Sequence, residues 1–179
     1  MGKAKGPFVA LNVAVLTVSD TRTAENDTSG DLIVERLKTA GHKLAGRLIL
    51  KDDVETLRAQ LRAWIADRSV DAIVTTGGTG LTRRDITPEA LTPLITKPIP
   101  GFGELFRWLS YAEIGTSTIE SRAFAGVADD TLVFCLPGST GACRLGMDQI
   151  ILPQLNATTA PCNLTEMLPR IRHDPPPIL

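Results

Sequence analysis

The sequence predicts an α/β domain built on a mainly parallel sheet, and three observations carry that prediction. Residues 9–19, 72–75 and 131–136 are short, almost wholly apolar runs with the composition of strands buried on both faces. Between them lie stretches whose apolar residues recur at helical spacing, so strands and helices alternate. Two of the runs feed directly into glycine loops, TTGGTG at 75–80 and PGSTG at 137–141, and each loop is followed by a helix start. Open α/β folds bind their ligands at the carboxyl ends of such strands.

Composition narrows the function classes. A chain of 179 residues is long enough for one full core, and with 43% hydrophobic but only 4% aromatic residues that core is expected to be aliphatic. The formal charge of −1 gives no excess of basic residues for a nucleic-acid partner. Cys135, Cys143 and Cys162 are odd in number and form no CxxC pair, which argues against a disulfide framework or a zinc site. The apolar run 6–19 falls short of the roughly 18 residues of a membrane span. No small-x-small cleavage site follows it, so it reads as a core strand rather than a leader. The expectation is a cytoplasmic protein in a reducing compartment, with no membrane partner.

Each element can be justified in order. Residues 1–8 form a polar arm, and 9–155 form the domain proper. The first strand, 9–19, ends in Thr17, Ser19, Asp20, Thr21 and Arg22, a polar cluster. Asp27 to Gly30 start a helix with Ile33, Leu37 and Ala40 on one apolar face, and Gly41 stops it. A second strand, 44–50, runs into Lys51, Asp52 and Asp53; the last aspartate is a candidate cap for a helix carrying Val54, Leu57, Leu61, Trp64 and Ile65, with Trp64 in the core. Thr87 and Pro88 read as the N-cap and first position of the helix after the TTGGTG loop.

Pro98 and Pro100 hold a break at 97–101. Phe102, Leu105, Phe106 and Leu109 then mark an amphipathic helix that could be core or subunit interface. Residues 115–121 are a link rich in hydroxyls. Residues 123–127, Asp129-Asp130 and 131–136 read as a short strand, a turn and a final central strand. Met147, Ile150 and Ile151 lie on the helix after the second glycine loop. From 156 to 179 the chain turns polar and proline-rich and is expected to be a tail along the surface or a neighbouring subunit.

The chemistry concentrates on the rim. Three glycines in residues 76–80 can take positive φ and expose successive N–H groups as an anion-binding nest. Arg83 and Arg84 add positive charge, whereas Asp85 beside such a nest calls for a cation or for a group to orient. The spacing is not that of a Walker loop or of GxGxxG. With Ser19, Asp20, Asp52, Gly138 and Ser139 on the same rim, the cleft suits a phosphorylated ligand with Mg²⁺ held by aspartates. Both histidines lie away from this rim, and Cys135 reads as a buried strand residue. Phosphoryl or nucleotidyl transfer remains, since it needs positioning and charge neutralisation rather than a protein nucleophile.

The segments LTVSD, DTSG, TTGGTGLTRRDITPEAL, GFGELFRWLSYAEIGTSTIESRAFAG and LPGSTGACRLGMDQIILPQL together resemble the molybdenum cofactor biosynthesis protein B (MoaB) family, within the MoaB/Mog group. The resemblance covers about residues 10–165. It implies a three-layer α/β/α sandwich of the MogA/MoaB-like, molybdopterin-binding type, assembled as a homotrimer or hexamer. It also implies adenylylation of molybdopterin by ATP and Mg²⁺, with pyrophosphate released.

Carried over by position, Gly77, Gly78, Thr79 and Gly80 hold pterin or phosphate, together with Ser19, Thr76, Arg84, Gly138 and Ser139 on the rim. Asp52 and Asp85 become the catalytic, magnesium-orienting pair. Mog-type members have Pro-Asp where this chain has Lys51-Asp52, which leaves Asp53 as the alternative carboxylate; Arg83 is the alternative to Arg84. Two other readings are a non-catalytic molybdopterin-binding protein, alone or with other enzymes of the pathway, and a nucleotide pyrophosphatase.

Overall fold

The computed structural model describes residues 6–173. Residues 1–5 of the expected arm and 174–179 of the expected tail lie outside the described residues. Six strands, β1 (Asn12–Val18), β2 (Lys43–Leu50), β3 (Ala72–Thr76), β4 (Lys97–Pro98), β5 (Phe124–Ala128) and β6 (Thr131–Leu136), form one sheet in the order β2-β1-β3-β6-β5-β4. The first four in that order run parallel, β5 runs antiparallel to β6, and β4 completes that edge antiparallel to β5. The helices are α1 (Thr28–Thr39), α2 (Val54–Ala66), α3 (Thr87–Leu91), α4 (Pro100–Ile114), α5 (Thr140–Gly146), α6 (Leu152–Leu155) and α7 (Leu164–His173).

Strand alternation divides the core into two layers. Val13 and Val15 of β1, Ala72 and Val74 of β3, and Leu132, Phe134 and Leu136 of β6 face a cluster completed by α1, α4, α5 and α7. Ala14, Leu16, Ile73, Val133 and Cys135 face the opposite cluster, closed by Leu57 and Leu61 of α2 and by Ala90 and Leu91 of α3. The fold is therefore a three-layer α/β/α sandwich. Both faces of the central strands are covered, which is why their sequences read as unbroken apolar runs.

Four local expectations change. β1 begins at Asn12 rather than residue 9, because its first ladder partner is Lys43; Phe8 and Val9 are exposed before it. Trp64 is half-buried and packs beside the opposite cluster, near Gly46, where a Cβ would come within 3.3 Å of the indole. The proline break at 97–101 contributes β4, paired with β5. Within the expected tail, 164–173 form α7: Leu168 is buried, Asn163 accepts from the Glu166 N–H at 2.9 Å, and Arg172 pairs with Asp71 at 2.9 Å. Among the described residues no helix is long and apolar enough to cross a membrane.

Candidate functional site

β3 and β6 are neighbours, so the glycine loops that follow them meet. Gly77 (φ +98°) lies so close to β1 that a Cβ would fall 2.2 Å from the Val18 carbonyl oxygen, and a Cβ on Gly138 would meet the Gly77 Cα at 3.2 Å. Gly78 also has positive φ, +64°. A side chain at either loop glycine would force the strand ends apart.

The loop is tied down by its carbonyls. The Thr87 hydroxyl donates to the Gly77 carbonyl at 2.8 Å, and the Thr87 N–H donates to the Gly78 carbonyl at 3.0 Å. Arg122 takes the next two: its N–H donates to the Thr79 carbonyl at 3.3 Å and its Nε to the Gly80 carbonyl at 2.8 Å. In a trans peptide the following N–H points opposite to the carbonyl, so the amides of Gly78, Thr79, Gly80 and Leu81 are turned away from these anchors. Thr87 is thus not the N-cap read from the sequence. Ile86 occupies that position without a side-chain bond, and Thr87 spends its hydroxyl on the loop.

Carboxylates lie beside the nest. Asp85 accepts from the Thr82 N–H at 2.8 Å and hydroxyl at 2.6 Å. Burial pushes its carboxyl up, but these bonds, the Gly80 N–H and the Arg122 charge hold it below the ordinary value. Asp52 behaves oppositely: burial, then the charges of Asp20 and Asp85, raise it. Arg84 pairs with Asp20 at 3.1 Å and offsets part of that repulsion. Asp53 caps α2 by accepting from the Thr56 N–H at 2.8 Å, and Asp52 is the one that lines the cleft.

The cleft between these groups has a volume of about 550 Å³. Ser19, Asp52, Gly77, Gly78, Thr79, Gly80, Arg84, Asp85, Gly138 and Ser139 all line it. Thr76, grouped with them on the sequence, does not: its side chain is buried and donates to the Pro137 carbonyl at 2.9 Å, so it joins the two loops from within. Ser139 caps α5, accepting from the Ala142 N–H at 3.2 Å. Burial pushes the Cys143 thiol, behind the second loop, up to about 11 and that of Cys135 up to about 12, so neither supplies a thiolate nucleophile.

The donor set would suit a hard cation, since Asp52 and Asp85 on the cleft offer only oxygen and Asp52 carries the repulsion of both Asp85 and Asp20. Among the described residues no three His, Cys, Asp or Glu side chains converge as a ready-made cage. Magnesium would be held by one or two carboxylates, with water and substrate oxygens completing the shell.

Residues 14–157 match a family model described as "Probable molybdopterin binding domain". Over 163 residues the chain is 50% identical to the molybdenum cofactor biosynthesis protein B of Escherichia coli (strain K12), covering 91% of this chain and 96% of that one. The chain belongs to the MoaB family. A crystal structure of a molybdenum cofactor biosynthesis protein B superposes with a TM-score of 0.83 at 42% identity, covering 93% of this chain and 98% of the other. The Mog protein of Mycobacterium ulcerans follows at 0.75 and 28% identity, covering 93% and 100%.

Two features of this MoaB-family site escaped the sequence reading. One wall of the cleft comes from the end of α4 and the 3₁₀ turn after it (Gly115–Glu120), with Ser110, Glu113, Ser117 and Glu120 lining it. The hydroxyl-rich composition of 115–121 was the available signal. Arg122 gave no local signal, because its partners lie 42 and 43 residues away. Arg83 is exposed and does not line the cleft, so Arg84 is the one of the two arginines that does.

Proposed function

We propose that this protein acts in molybdenum cofactor biosynthesis by binding molybdopterin in the cleft and adenylylating it with Mg²⁺-ATP, releasing adenylyl-molybdopterin and pyrophosphate. The observation that carries this reading is the juxtaposition of the Gly78, Thr79 and Leu81 amides, turned away from the carbonyl anchors, with the Asp52 and Asp85 carboxylates, the second of which accepts from the Gly80 N–H. An anion nest beside mutually repelling carboxylates suits a polyphosphate that arrives with a divalent cation. The names of the relatives support the pathway.

In this reaction a terminal phosphate oxygen of molybdopterin attacks the α-phosphorus of ATP, the new P–O bond forms, and the bond to pyrophosphate breaks. The loop amides hold and orient a phosphate, and Arg84 neutralises charge on the leaving group. Asp85 and Asp52 would hold the metal. Magnesium supplies charge neutralisation across the polyphosphate.

A homotrimer or hexamer is the proposed assembly. Trp108, Tyr111 and Ile114 of α4, with Ile119 just beyond it, expose large apolar surface beside the cleft.

The second reading is a molybdopterin-binding accessory protein without catalysis, favoured by the matching family model, whose description names molybdopterin binding and no reaction. Pyrophosphate release from Mg²⁺-ATP, with and without molybdopterin, separates the two. Molybdopterin-dependent release that Asp85→Asn abolishes while pterin binding persists supports the transferase. Binding without release supports the accessory protein.

A further inference from the structure

We propose that Arg122 is a positioning residue that presets the TTGGTG loop for its phosphate ligand. The inference rests on the proposed polyphosphate chemistry of this cleft and adds a residue to it. Arg122 lies just before β5, on a segment separate from both glycine loops. From there it reaches three carbonyls of the loop and of the turn after it. Nε donates to Gly80 at 2.8 Å and more weakly to Thr79 at 3.4 Å, and Nη2 donates to the Asp85 carbonyl at 2.6 Å. The Arg122 N–H adds a second bond to the Thr79 carbonyl, and Nη1 pairs with Glu89 of α3.

One planar guanidinium therefore fixes both ends of the segment from Thr79 to Asp85. Leu81, Thr82, Arg83 and Arg84 within that segment are exposed, so little packing holds them otherwise. By holding the Thr79 and Gly80 carbonyls, Arg122 turns the Gly80 and Leu81 amides away from itself. By holding the Asp85 carbonyl, it sets where the Asp85 carboxylate emerges. Its charge also favours the ionised form of that carboxylate. A lysine keeps the charge but cannot present several donors in a fixed plane. Arg122 does not line the cleft, so its effect on a ligand passes through the loop.

The test uses Arg122→Lys and Arg122→Ala in the full chain, with pyrophosphate and Mg²⁺ as the probe. Amide hydrogen exchange at Gly80 and Leu81 should accelerate at least tenfold in both variants relative to amides of β3. Pyrophosphate affinity should fall on the order of 100-fold, as for a displaced binding geometry. Millimolar guanidinium should restore much of that affinity to Arg122→Ala and little to Arg122→Lys.

If both variants melt earlier but retain wild-type loop exchange and affinity, Arg122 only braces α3 against β5 and the proposal is overturned. Hydrogen exchange also keeps the inference separable from the proposed reaction. A wild-type protein that neither releases nor binds pyrophosphate removes that reaction, while unaltered loop exchange in Arg122→Ala removes the role of Arg122.

Discussion

Thr87 holds Gly77 from ten residues away, its hydroxyl donating to the glycine carbonyl at 2.8 Å in a buried contact. Gly77 is in turn pressed against the end of β1. The first residue of α3 thereby transmits the position of its helix to the floor of the cleft.

Thr87→Val keeps the shape of the side chain and removes the donor, leaving the Gly77 carbonyl unpaired in a buried position. A loss of about 1–3 kcal/mol is expected in urea unfolding, with Thr87→Ser close to wild type. Equal losses for Val and Ser would show that packing of the methyl group matters and the hydroxyl does not.

Gly78→Ala places a Cβ 2.3 Å from the Thr87 hydroxyl and 3.1 Å from Asp52 Oδ1, at φ +64°. The backbone strain alone costs about 1–2 kcal/mol. The displaced Thr87 should also lower pyrophosphate affinity. Gly101→Ala, where a Cβ meets nothing within 4 Å, is the control and should change neither property. Calorimetric titration of both variants with pyrophosphate checks the contrast.

Asp52→Asn is expected to raise the melting temperature at pH 7 while reducing adenylyl transfer. Burial and the charges of Asp20 and Asp85 raise the folded-state pKa of Asp52 above its unfolded value of 3.8. Between those two values the folded protein binds more protons than the unfolded chain, so stability falls as pH rises through that window. The wild-type penalty is fully present above the raised pKa and absent below 3.8. The melting difference should therefore vanish in strong acid, and saturating Mg²⁺ should shrink it at pH 7. A variant less stable than wild type at pH 7 would mean that Asp52 is held by bonds stronger than this repulsion.

Trp108→Glu tests the proposed assembly, because this indole is 73% exposed and, with Tyr111 and Ile114, is one of the large apolar side chains that α4 leaves uncovered. Light scattering should show a trimer or hexamer for the wild type and a smaller species for the variant, with far-ultraviolet circular dichroism unchanged. A wild-type monomer at micromolar concentration would refute the assembly.

Strand runs, glycine loops and the Asp53 cap were legible because each is decided by residues adjacent in the chain. Residues 72–76 and 131–136 needed no partner to declare burial on both faces. Asp53 needed only the helix three residues on. Where a local signal had two outlets, the reading erred: Thr87 before Pro88 has the pattern of a cap, yet its hydroxyl found a carbonyl on another segment. Thr76 likewise sits in the loop motif but turns inward to Pro137. Helix α7 escaped notice although Leu164, Met167, Leu168 and Ile171 recur at helical spacing, because Pro169 within it and the prolines that follow in the sequence read as breakers.

Two loops ending adjacent parallel strands must share a rim, so the sequence alone determined the three-layer class, the location of the cleft and most of the residues around it. Tertiary structure decided how those residues are arranged there. It separated Asp52 from Asp53 and Arg84 from Arg83. It raised Asp52 while lowering Asp85, and it brought Arg122 across 42 residues to hold the Gly80 carbonyl. The physical reason is that hydrogen bonds and charges act over a few ångströms, a distance set by sheet order and helix packing rather than by position along the chain.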